Sequence, residues 1–211
     1  MDKSGPTVRR LLKVAGTTYA AEAGIRINDK PMPLFQLLVL CMLASKPIDA
    51  GTAMRAAREL FKAGLRTPKA VLASDRQTMI SALGRAHYVR YDESSATRLT
   101  EIAQRVHDEY SGDLRELARS SQRDVAAAAR NLKQFKGIGD TGADIFLREV
   151  QDVWTWVRPH FDDRATAAAK RLGLPADPAK LRDLAPRANA RLAAALVRVS
   201  LDDDVLQRVA G

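Results

Sequence analysis

Phe135-Lys136-Gly137-Ile138-Gly139-Asp140-Thr141-Gly142-Ala143-Asp144 is the stretch that decides the fold. Helical spacing precedes it, from about Ser121 to Leu132, and predicts a second helix after it, to about Val150. Two glycines around one apolar residue, between helices, make a tight hairpin. Such a turn leaves backbone N–H groups without partners at the start of the second helix. Those donors, and the positive end of the helix dipole, suit a phosphate. Nucleic-acid backbone is therefore the first partner to consider. The plainer alternative for Gly137 and Gly139 is an ordinary interhelical turn, with Ile138 packed inward.

Outward from the hairpin, helical spacing recurs and sustained strand alternation is missing. Leu34, Leu37, Leu38, Cys41 and Met42 read as one buried helix after Pro31 and Pro33. Asp49 caps a helix to about Ala63, and Thr67-Pro68 opens a short one through Leu72. Ser74 or Asp75 caps the next, to about Leu83. Asp92 opens a long helix to about Tyr110, closed by Ser111-Gly112. Beyond the hairpin, Asp162 or Asp163 begins a helix to Leu172, stopped by Gly173 and Pro175. Pro186 precedes a helix from Arg187 to Val199, and a last short one starts near Asp202. The fold class is all-α. A compact block of helices separates the residues before Pro33 from those after about Val150.

The net charge of +9 over 211 residues suits a polyanion. No apolar run approaches the length of a membrane span. Arg9, Arg10 and Lys13 interrupt any signal-peptide core, and are themselves expected to form a solvated face. The one cysteine, Cys41, excludes an internal disulfide and a cysteine-ligated cluster within the chain. Cytoplasmic residence, associated with the nucleoid, is the expectation.

The hairpin, then Phe161-Asp162-Asp163-Arg164-Ala165, then Arg171-Leu172-Gly173 together resemble the helix-hairpin-helix DNA glycosylases of the endonuclease III superfamily. Pro33-Leu34-Phe35-Gln36-Leu37-Leu38 and Met42-Leu43-Ala44-Ser45-Lys46-Pro47-Ile48-Asp49 extend the likeness, which spans roughly Pro33 to Pro175. The resemblance implies a two-lobed all-α fold with a DNA cleft between the lobes. One lobe would be a helical barrel, residues 33–150, ending in the hairpin. The other would combine residues 1–32 and 151–211. It implies double-stranded DNA as partner, no membrane, and a monomer. Family hairpins often hold a monovalent cation on backbone carbonyls, which this sequence neither supports nor excludes.

Three departures bear on activity. Bifunctional members carry a lysine nucleophile where this chain has Thr141, which cannot form a Schiff base. Lys136 lies before the glycines and does not replace it. The cysteines of the family's four-iron cluster are missing from the region Leu181 to Gly211. Lys46 stands where a gap-filling glutamine is common.

Hydrolysis of an N-glycosidic bond needs a carboxylate near the sugar C1′, to stabilise an oxocarbenium-like cation and orient water. A helix N-terminus favours the charged form of such a group. The resemblance implies Asp162 for this role, with Asp163 the runner-up. The bland reading makes Asp162 an N-cap and Asp163 a first-turn charge. The implied DNA contacts are Lys136, Gly137, Ile138, Gly139, Thr141 and Lys46, with Tyr88 or Val89 as a wedge opposite a flipped base. Trp154 and Trp156 are expected in the core, and His160 at the surface. These features predict a monofunctional DNA glycosylase without lyase activity or cofactor. The alternative is a catalytically inactive DNA-binding or lesion-sensing protein on the same scaffold.

Overall fold

The computed structural model describes residues 4–210, and the regular structure among them is helical throughout. The helices are α1 (Ser4–Ala15), α2 (Tyr19–Glu22), α3 (Pro31–Ala44), α4 (Ala50–Lys62), α5 (Pro68–Leu72), α6 (Arg76–Arg85) and α7 (Asp92–Tyr110). They continue as α8 (Arg115–Ser120), α9 (Val125–Lys133), α10 (Asp140–Val150), α11 (Asp163–Arg171), α12 (Pro178–Leu184), α13 (Asn189–Leu201) and α14 (Asp203–Ala210). None is long and apolar enough to cross a membrane among the described residues.

Side-chain caps start several of these helices where the sequence predicts them. Asp49 accepts from Thr52 N–H, Thr67 from Ala70 N–H, and Asp75 from Thr78 N–H. Each such cap stabilises by about 1 kcal/mol, because it satisfies a donor the helix cannot. One expectation fails here. The predicted helix from Ser121 to Leu132 begins only at Val125. Gln122 and Arg123 both adopt left-handed backbone, with φ of 52° and 57°. Asp124 then caps the new helix through Ala127 N–H. Apolar spacing alone did not reveal that competing cap. Likewise α12 was not foreseen; Asp177 caps it and Pro178 sits at its first position.

The chain divides into two compact units. One takes the residues up to Tyr19 and from Leu147 onward; the other is Ala20–Phe146. Relative to the boundaries read from sequence, residues 20–32 and 147–150 change sides.

In the middle unit α3 is the core helix: every residue from Pro33 to Leu43 is buried. A helix apolar on all sides is stable only when surrounded. Burial of each large aliphatic or aromatic side chain stabilises by about 1.5–3 kcal/mol. Both α4 and α7 pack on α3, while α6 packs on α4 and α7.

In the terminal unit the corresponding core helix is α13, on which α1, α11 and α14 pack. Val8, Leu11 and Ala15 are the buried stripe of α1, and Arg9, Arg10 and Lys13 are exposed, as expected. Arg191 and Arg198 of α13 donate to the carbonyls of Gly16 and Thr17. They satisfy acceptors in the turn that follows α1.

Candidate nucleic-acid interface

The hairpin forms from α9, a short turn and the first residues of α10. Phe135 N–H donates to Leu132 O at 3.1 Å, and Ile138 N–H to Phe135 O at 3.0 Å. Gly137 turns the chain at φ 89°, a conformation that favours glycine. The Gly139 carbonyl accepts the first helical bond of α10, from Ala143 N–H at 3.0 Å. Phe135 and Ile138 face inward and are buried. Phe135 stacks on Tyr110 of α7, ring centres 5.8 Å apart, which ties the turn to the core. Gly142 permits a further close approach: a Cβ there would stand 2.5 Å from Ser45 Oγ, at the end of α3.

Beside the turn lies an open hollow of about 400 Å³, lined by Ser45, Lys46, Arg98 and residues 137–141. Of the predicted DNA contacts, Lys46, Gly137, Ile138, Gly139 and Thr141 come together here. Lys136 does not. Its Nζ donates to Glu101 at 2.7 Å on the exposed surface. Asp140, in the first turn of α10, is exposed and accepts from Lys133 Nζ at 2.8 Å. The Lys133 hydrogen bond holds the Asp140 carboxyl below the ordinary range. Lys46 Nζ lies 5.4 Å over the Tyr91 ring, and neither Lys46 nor Arg98 has a carboxylate partner among the described residues.

The wedge expectation needs correction for Tyr88. Its ring is fully buried, and its hydroxyl donates to Leu43 O at 3.0 Å, one of the last carbonyls of α3. Burial pushes the phenol up to about 12. Tyr88 presents no surface to a duplex; its neighbour Val89 does, at 63% exposed.

The Asp162 carboxylate is engaged on both oxygens. Oδ1 accepts from Ala165 N–H at 2.8 Å and caps α11, and Oδ2 accepts from Arg148 Nη1 at 2.9 Å. The Asp162 and Arg148 side chains are 9% and 3% exposed. Arg148 also lies over the Tyr19 ring at 5.3 Å and places Nε 3.7 Å from buried Glu149. Gln151 holds the approach to α11, donating to His160 O and accepting from His160 N–H. Asp163 stands next in line, exposed, with no partner for its carboxylate among the described residues. Trp154 is buried and stacks on half-buried Trp156, ring centres 5.5 Å apart.

This fold has a solved counterpart in a trapped covalent intermediate of endonuclease III with DNA, an estranged-adenine complex. The two share 16% sequence identity at a TM-score of 0.50, over 93% of this chain and 85% of that one. The fold is that of endonuclease III. No protein-family model matches the chain, and no characterised protein matches it in sequence.

Sequence reasoning passed over several residues of this endonuclease III-like frame: Arg98 in the hollow, Ser45 against Gly142, and Arg148 against Asp162. Arg98 had a readable signal. It lies with Glu101 and Arg105 at three- and four-residue spacing, on one edge of α7. Arg148 had none, because its partner is fourteen residues away in sequence.

Proposed function

We propose that this chain binds duplex DNA by its phosphate backbone through the 135–142 hairpin, and that Asp162 is a structural residue rather than a catalyst. The hollow carries this reading. Two uncompensated cations share its wall with the glycine turn and the N-terminus of α10. Backbone contacts of this kind position a duplex without reading its sequence. The endonuclease III-like fold and the DNA in its solved counterpart support it. The Asp162 carboxylate caps a helix, neutralises a buried guanidinium and is only 9% exposed, which favours a structural role. A fluorescein-labelled duplex titrated at rising salt tests the proposal. Affinity should fall linearly on a log–log plot, with a slope that counts the phosphates contacted. Absence of binding at low salt would refute it.

Asp163 favours a second reading, monofunctional glycosylase activity. Its carboxylate is exposed at the N-terminus of α11 and open to a substrate. In that reading a base leaves the stack at a cost of a few kcal/mol, and Asp163 stabilises the sugar cation while water attacks. Thr141 offers no amine, so no strand cleavage through a Schiff base follows. Duplexes carrying a panel of damaged or mispaired bases, incubated and then treated with alkali, separate the readings. Alkali-labile sites that vanish in Asp163→Asn would establish the second; intact strands throughout would leave the first.

A further inference from the structure

Along the half-buried edge of α7, Arg98, Glu101 and Arg105 each meet the hairpin. Arg105 Nη1 donates to Gln134 O at 2.5 Å, and Glu101 accepts from Lys136 at 2.7 Å. Arg98 packs its stem against Gly137, where a Cβ would stand 2.9 Å from its Cδ. The first two side chains are thus satisfied within the protein. Arg98 is not: its guanidinium has no hydrogen bond or ion pair among the described residues, and Nη1 is buried without a partner. A buried donor left unmade is costly, and an explanation is owed for each one.

The charges around the turn sort into two groups. Lys133 and Lys136 are neutralised by Asp140 and Glu101. Arg98 and Lys46 keep their charge, and both line the hollow. The cations free to meet an anion are therefore those that converge on one space, while the lysine nearest the glycines in sequence is spent elsewhere.

We infer that Arg98 is a phosphate-contacting residue, which reaches from α7 into the hollow and, with Lys46, holds a phosphodiester of the DNA backbone against the start of α10. This rests on the DNA-binding reading and adds to it the side chain that anchors the phosphate. A guanidinium suits the task, since its fork of donors matches two phosphate oxygens at once. Gly137 then has a second reason to be glycine: any Cβ would displace the Arg98 stem as well as strain the turn.

Wild type, Arg98→Gln and Arg98→Lys are titrated with the same labelled duplex across a salt series, with thermal unfolding by circular dichroism as a fold check. Arg98→Gln should weaken binding by about tenfold at moderate salt and lower the log–log slope by about one phosphate equivalent. Arg98→Lys should keep the slope and lose affinity several-fold, because it keeps the charge and loses the fork. A folded Arg98→Gln protein with wild-type affinity and slope would overturn the inference while leaving DNA binding in place. Should Arg98→Gln fail to fold, unchanged affinity in Arg98→Lys would overturn it alone. A wild type that does not bind duplex would overturn both this inference and the reading beneath it.

Discussion

Replacement of Asp162 by Asn separates a structural carboxylate from a catalytic one. Asn is a good N-cap, so the bond to Ala165 N–H survives and α11 keeps its start. The lost interaction is the ion pair with Arg148, whose side chain is 3% exposed. Removing one partner of a buried pair costs about 3–5 kcal/mol, because the other charge is stranded. Glu149, 3.7 Å from Arg148 Nε, offsets part of that, which points to the lower end, about 3 kcal/mol. Asp162→Ala should cost about 1 kcal/mol more, by loss of the cap. For a chain of this size, about 3 kcal/mol corresponds to a fall in Tm of roughly 6–12 °C. Urea and thermal unfolding of wild type, Asp162→Asn, Arg148→Met and the double variant give the coupling between the two sites, expected at about 2–3 kcal/mol. An Asp162→Asn protein within about 0.5 kcal/mol of wild type would refute the structural assignment. Loss of base excision at unchanged stability would return Asp162 to the catalytic role implied by the resemblance.

Three further outcomes are expected. Asp140→Asn removes an exposed negative charge from the start of α10 and frees Lys133, so duplex affinity should rise about threefold to tenfold at low salt and less at high salt; an unchanged salt titration would remove the hairpin from the interface. Tyr88 has its pKa raised by burial to about 12, so its contribution is complete below the ordinary phenol value of 10 and lost as pH rises through the folded value. Burial raises the Tyr110 phenol as well, so ultraviolet titration should show a late tyrosine component, with unfolding, that Tyr88→Phe reduces but does not abolish; that variant should cost about 1 kcal/mol for the bond to Leu43. Gly142→Ala should destabilise by about 1–3 kcal/mol, as the new Cβ meets Ser45 Oγ. Adding Ser45→Ala should recover part of that loss in urea unfolding, the rest belonging to Ile138, whose Cγ2 would stand 3.1 Å from the new Cβ; no recovery would place the strain elsewhere.

Most helices were legible because their starts are written locally. Asp49, Thr67, Asp75 and Asp162 are caps whose partners lie three residues on. Apolar at every buried position but Gln36, α3 declared its burial by composition. The failure between Ser121 and Asp124 has the same local origin, read too coarsely. A left-handed pair and a new cap interrupt a spacing that otherwise looks continuous. The candidate site was legible only in its backbone. Gly137, Ile138 and Gly139 form the predicted turn, since a positive φ and an inward apolar residue are properties of the segment itself.

The sequence by itself determined an all-α chain and the hairpin. Only the tertiary structure decided which charges are free. Lys136 is neutralised by Glu101 and Asp162 by Arg148, while Arg98 converges with Lys46 on the hollow without a carboxylate. Tyr88 is turned from surface wedge to core by a carbonyl forty-five residues away. Caps and turns are settled within one helical turn of chain, whereas the neutralisation of a charge depends on which distant side chain packing brings within about 4 Å of it.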